Sequence, residues 1–162
     1  FLLDNSLSKK SYSLLYINEL MIKLLPKDAA NEDLFNLYSK FIEDSLKLLE
    51  MEFLLRNFEI DLLDMLGYGI NFQTDIDAHE PIDPSTDYIF IAERGFQASS
   101  KNPDFSGQDI INIRNRNFTD VPSNKLKQLT QATIMFCLEG KDLNSRQIFR
   151  RLQKWFMVLV QI

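Results

Sequence analysis

The 162-residue chain is 45% hydrophobic and 25% charged, which is enough apolar material for one core and predicts a single domain over residues 1–162. Its formal net charge of −5, with a pI near 4.9, excludes the overall basic footprint of an autonomous DNA binder, so a nucleic-acid contact must come from a local basic surface. One cysteine, Cys137, and one histidine, His79, exclude an internal disulfide and a cysteine- or histidine-rich metal cluster, and they suit a reducing cytosol.

The chain opens on Phe1-Leu2-Leu3 and Asp4 follows at once, so this run is too short for a secretory signal. The absence of an initiator Met leads us to expect that residue 1 is not the native start. Leu14, Ile17, Met21 and Leu24 recur at helical spacing, predicting a helix from Ser8 to Leu25 that Pro26 stops. Asn31 reads as the N-cap of a second helix, with Glu32 and Asp33 in its first turn, where acids favour the helix dipole. Leu34, Leu37, Phe41 and Leu48 give that helix its apolar stripe. A third helix from about Glu52 to Leu66 places Leu55, Phe58, Leu62 and Leu66 on one face, and Gly67 and Gly69 end it.

Residues 71–100 change character. Pro81, Pro84 and Ser85-Thr86-Asp87 mark turns, Tyr88-Ile89-Phe90-Ile91 favours a strand, and Glu93-Arg94-Gly95 reads as a turn before Phe96. A small hairpin or extended loop is predicted there. Helix then resumes: Ser106 caps a segment through Ile113, Ser123 caps one through Leu138 that Gly140 closes, and a last helix starts near Leu143. The pattern predicts an all-helical bundle with a small irregular or β-hairpin insertion around residues 71–100. The last apolar run, Trp155 to Val160, falls far below the ~20 residues of a membrane span.

Four motifs stand in order along this pattern. They are Tyr16-Ile17-Asn18-Glu19-Leu20 with Leu24-Leu25-Pro26; Leu34-Phe35 and Tyr38; Leu55-Arg56-Asn57-Phe58-Glu59 with Leu62-Leu63 and Leu66-Gly67-Tyr68-Gly69; and Gly140-Lys141, Leu143 and Ser145-Arg146. In order and spacing they resemble the C-terminal helical domain of the RecO family of bacterial recombination mediators, over roughly residues 12–152. Two features depart from that family's pattern. Asp75 and Ala78 stand where many relatives carry the first pair of a four-cysteine zinc site, and no cysteine follows Gly95, so the chain resembles the zinc-free branch. Trp155 to Ile162 is apolar where a basic or polar tail is expected.

The resemblance implies a protein of the bacterial cytoplasm, associated with the nucleoid. It implies binding of single-stranded DNA, annealing of complementary strands, and loading of RecA, together with RecR, onto DNA covered by single-stranded DNA-binding protein (SSB). It implies that an OB-fold precedes the helical domain and carries the main DNA contact, and we expect this chain to be the helical domain without it. It further implies that the helical domain receives the acidic C-terminal tail of SSB, which ends in a phenylalanine.

A receptor for that tail needs an apolar pocket and a cation for the carboxylate, a role that suits arginine. On the third helix Arg56 borders Leu63 by spacing, beside the face of Leu55, Phe58, Leu62 and Leu66, and we take these six as the tail site. The plain alternative for Arg56 is an exposed helix residue paired with Glu59. Asn57 stands where relatives are often basic. Lys141, Arg146, Arg150, Arg151 and Lys154, against the single acid Asp142, form the strongest basic signal and the candidate for weak DNA binding, the alternative being a solvated helix face. Arg114 and Arg116 are a fainter hint of the same kind. His79-Glu80 and the Asp61/Asp64 pair read as surface residues, and Cys137 as a small core residue. No Walker loop, nucleophile triad or dinucleotide fingerprint is present, so we expect no enzyme active site, cofactor or metal. The competing reading is a helical interaction or regulatory domain unrelated to recombination; a small hydrolase built on Glu80 or Asp61/Asp64 is a distant third.

Overall fold

The computed structural model describes residues 5–25, 31–47, 50–148 and 150–151, with side chains from Lys10 onward. Three helices come first: α1 (Asn5–Leu24), α2 (Glu32–Leu46) and α3 (Met51–Met65). The Asn31 side chain caps α2 as expected, accepting the Leu34 N–H at 3.1 Å. Leu48 of the predicted α2 stripe lies outside the described residues. Tyr16, Ile17 and Leu20 of α1, Leu34 and Phe41 of α2, and Phe58, Leu62 and Leu63 of α3 make a bundle core. Phe41 and Phe58 meet edge to face, with centroids 5.2 Å apart.

Helix α3 ends in two interlocked bonds, from Tyr68 N–H to Leu63 C=O and from Gly67 N–H to Asp64 C=O, with Gly67 at φ +82°. Only Gly67 is left-handed. Gly69 serves close approach instead, since a Cβ there would lie 2.6 Å from Asp64 Oδ1.

The insertion is a three-stranded antiparallel sheet, β1 (Asp87–Ile91), β2 (Gly95–Ala98) and β3 (Phe105–Ser106), in the order β2-β1-β3. The expected hairpin is β1–β2, with Phe90 opposite Phe96 and a turn through Glu93. The third strand, beyond residue 100, extends the insertion past its predicted limit. Its signal is weak because two residues carry no periodicity; Phe105 joins the sheet by packing against Phe96, with centroids 5.6 Å apart.

Ser106 caps α4 (Gly107–Arg114) through a capping box with Asp109. Ser123 does not cap α5 (Ser123–Cys137); Pro122 holds that position, and the Ser123 hydroxyl donates to Glu52 at 2.8 Å. Proline fits there because its fixed φ and missing N–H cost nothing at a helix start. The helix closes at Glu139 (φ +53°) and Gly140 (φ +77°), and residues 144–148 and 150–151 are helical again. Helices α3 and α5 serve two apolar clusters. Ile60, Leu126 and Leu129 pack with the insertion and α4; Phe58, Ile134 and Leu138 pack in the bundle, where Cys137 is half-buried.

Candidate functional site

Three of the four motifs meet at Tyr16. Its hydroxyl donates to Glu59 Oε1 of α3 at 2.6 Å and accepts from Arg146 of the last helix at 3.2 Å, while the Arg146 guanidinium lies 5.4 Å from the Tyr16 ring centroid. The other Glu59 oxygen accepts from Arg56 Nη1 at 2.5 Å, and the same nitrogen donates to Thr130 Oγ1 of α5 at 2.8 Å. Burial and the Glu59 charge push the Tyr16 phenol well above its ordinary pKa, so it stays a donor. One polar chain thus joins α1, α3, α5 and the last helix.

Glu19, one turn along α1, extends the arrangement. Oε1 accepts the Asn144 N–H at 2.8 Å, Oε2 accepts the Ser145 N–H at 2.7 Å, and Lys23 pairs with Oε1 at 3.2 Å. An acid on one helix therefore caps the start of another. Burial alone pushes this carboxyl up, but the bonds from Ser145, Asn144 and Lys23 win and hold it at about 2. Lys23 also donates to the Asp142 carbonyl at 3.0 Å.

The six residues of the expected tail site lie mostly inside the bundle. Arg56 is 5% exposed and Glu59 0%, so the guanidinium is committed to an interior ion pair and does not offer itself at a rim. Phe58, Leu62 and Leu63 are buried in the bundle core, and Leu55 and Leu66 are half-buried against it. The stripe read as a docking wall is the helix's inward face. The Arg56–Glu59 spacing was the correct part of the plain alternative; its exposure was not. Spacing says which residues share a face but not how much of the circumference neighbours cover, and α3 is covered on several sides.

The basic residues of the C-terminal segment stay on the surface. Lys141 and Arg150 have side chains 75% and 67% exposed, Arg151 is exposed, and Arg146 is half-buried on Tyr16; Lys154 lies outside the described residues. Two of the cations have acid partners: Lys141 with Glu139 at 3.4 Å and Arg150 with Asp142 at 3.5 Å. Arg146 and Arg151 have no carboxylate partner among the described residues. Arg116 is not a free cation. Held left-handed at φ +61°, it meets Asp61 at 2.5 Å, and Arg114 donates to Gln73 at 3.3 Å.

At the positions read as zinc-free, the Asp75 carboxylate does the fastening. Oδ1 accepts the N–H groups of Asp77 and Ala78 at 2.8 and 2.7 Å, and Oδ2 accepts that of Ala98 on β2 at 2.6 Å. His79 and Glu80 are exposed on the adjoining turn. Among the described residues no group of three or more His, Cys, Asp or Glu is placed to hold a metal ion, and no helix is long and apolar enough to cross a membrane. Sequence reasoning did not find the roles of Tyr16, Glu19, Asp75 and Thr130 in holding these elements together. Tyr16 and Glu19 stood inside a motif, so the signal was there; for Asp75 and Thr130 only the fold supplies the partner.

The family model described as "Recombination protein O C terminal" matches residues 8–147. The chain is 34% identical to the DNA repair protein RecO of Vibrio cholerae over 143 residues, 86% of this chain and 59% of that protein. It is 35% identical to the RecO of Psychromonas ingrahamii, over 83% of this chain and 60% of that one, and 34% identical to the RecO of Haemophilus influenzae, over 85% and 60%. The chain therefore spans about three-fifths of the length of these relatives.

Proposed function

The chain belongs to the RecO family of DNA repair proteins, matching its C-terminal domain, and from that premise we propose that it is a recombination-mediator module that works by binding and not by covalent chemistry. In this reading it receives the SSB tail, contacts single-stranded DNA weakly, and supports annealing and RecA loading with RecR in the bacterial cytoplasm, at the nucleoid. An upstream OB-fold supplies the main DNA contact.

One observation carries the assignment of surface. Residues 139–151 hold four cations and two acids in a chain that is acidic overall, and Glu19 fixes them to the bundle. With Arg56 sealed inside, the tail's carboxylates fall to this face, around Arg146, Arg150 and Arg151. Ile148, 43% exposed on the same helix, offers apolar surface for the terminal ring. Tail and DNA are both polyanions and compete for it.

The test titrates a labelled SSB tail peptide against wild type and an Arg150→Glu/Arg151→Glu double variant, with and without unlabelled single-stranded DNA. Loss of binding in the variant and displacement by DNA are expected. Equal binding by both proteins refutes this placement, and failure of wild type to capture SSB at all favours the interaction module unrelated to recombination.

A further inference from the structure

A cavity of about 270 Å³ opens between the bundle and the insertion. Tyr68 and Ile70 after α3, Phe136 of α5, Phe90 of β1, and Glu93 and Arg94 of the β1–β2 turn line it. Its walls are aromatic and accessible: Tyr68 is 46% and Phe136 40% exposed. Met65 and Met135, on the same terminal turns of α3 and α5, are also exposed, so four of the nine exposed large apolar side chains among the described residues come from these two helix ends. The backbone around it is fixed by left-handed residues, Gly67 at +82°, Glu93 at +76° and Gly95 at +115°.

The charge of this region decides what fits. Residues 71–104 contain seven acids and two cations, an excess equal to the formal net charge of the whole chain, −5. Arg94 at the rim is already shared with Asp77 at 3.6 Å. Glu93, also at the rim, is exposed and has no ion-pair partner among the described residues; the same holds for Glu80 and Asp87 further out. The formal charge of this segment is negative, which disfavours DNA and an acidic peptide alike. Aromatic faces beside an unpaired carboxylate suit a cation whose stem is apolar.

We propose that this cavity docks a cationic segment of a partner protein, which lays an arginine or lysine side chain against Tyr68, Phe90 and Phe136 with its head group at Glu93. None of the basic residues from Lys141 to Arg151 lines this cavity. The proposal does not rest on the DNA or SSB assignment.

The experiment measures anisotropy of fluorescein-labelled hexa-arginine, hexa-glutamate and a thymidine 20-mer with the full chain at low salt. Hexa-arginine alone should be held at this site. Phe136→Ala changes no charge and should weaken it by about tenfold, as should Glu93→Lys. Asp83→Lys, an equal charge change away from the lining, should alter it by less than about twofold, because a screened surface charge acts weakly at a distance. Tyr68→Leu repeats the aromatic arm should Phe136→Ala fail to fold. Equal loss in Glu93→Lys and Asp83→Lys with none in the aromatic variants means diffuse attraction and overturns the proposal, as does binding of hexa-glutamate or the 20-mer that Phe136→Ala abolishes.

Discussion

The Glu19 carboxylate accepts the backbone N–H of Ser145 at 2.7 Å, 126 positions further along the chain. This bond, its companion to Asn144 and the Arg146–Tyr16 contact seat the basic helix on α1. Sequence far from the cations therefore governs where they point.

Glu19→Gln is expected to loosen that helix. Glutamine keeps one acceptor oxygen and no charge, so one of the two capping bonds and the Lys23 pair go. A loss of about 1 kcal/mol, the usual worth of an N-cap, is expected. Faster amide exchange confined to residues 144–151 would mark it. The pH dependence has a definite sign. The folded pKa is lowered from 4.5 to about 2, so the contribution is complete above the ordinary carboxylate range and fades as pH falls toward 2. Wild type and Glu19→Gln should differ in stability at neutral pH and converge in acid; a constant gap down to pH 2 contradicts the capping role.

Arg56→Ala should damage the fold before it touches any partner. Removing one member of a buried pair strands Glu59, which is 0% exposed, at a cost of about 3–5 kcal/mol. Arg56 Nε has no partner among the described residues, so the pair is itself imperfectly satisfied. Arg56→Met with Glu59→Met should recover only part of the loss, because apolar replacement of both partners removes the stranded charge but leaves the Tyr16 hydroxyl without its acceptor. Denaturant melts of the single and double variants decide it, and a single variant as stable as wild type would mean that Arg56 is not sealed.

The contrast shows what a sequence carries. Helix positions, the Asn31 and Ser106 caps and the β1–β2 hairpin were legible because local periodicity and turn chemistry set them. The motifs were legible as a family pattern, but their role was not. The family resemblance points to Arg56 as a receptor, and helical spacing sets it off the main apolar stripe. Only the approach of Thr130 from α5 and Tyr16 from α1 turns its face inward too. Burial of a polar residue is a property of the assembled neighbours, and no window of one helix encodes it.

Asp75→Asn should weaken the insertion locally. The asparagine oxygen can still accept from Asp77 and Ala78, but its amide would face the Ala98 N–H, donor against donor. A cost of about 1–3 kcal/mol is expected, with faster exchange at Ala98 and unchanged protection in α1 to α3. Burial raises the Asp75 carboxyl, but the three backbone bonds pull it below the ordinary range. Its support is therefore present at neutral pH and lost as pH drops below that range. Undiminished protection at Ala98 in the variant would show that β2 is held by the β1 ladder alone.

Salt dependence tests the single-strand contact proposed for the basic helix. Each single-strand phosphate neutralised contributes about 0.7 to the slope of log affinity against log salt. Arg151 is exposed without a carboxylate partner among the described residues, whereas Arg150 shares Asp142 at 3.5 Å and Lys141 shares Glu139 at 3.4 Å. A cation already paired must give up its acid to meet a phosphate, so it gains less. Arg151→Ala should therefore lower the slope by about 0.7, and Arg150→Ala and Lys141→Ala by less. Asp142→Asn should strengthen binding, because it frees Arg150 and removes a repelling charge. Arg116→Ala serves as the control, since that guanidinium is bound to Asp61 at 2.5 Å on another element. Anisotropy titrations of a labelled thymidine oligomer at four salt concentrations supply the slopes. A slope that Arg151→Ala leaves unchanged while Arg116→Ala reduces it would move the phosphate contact from the last helix to the loop after α4.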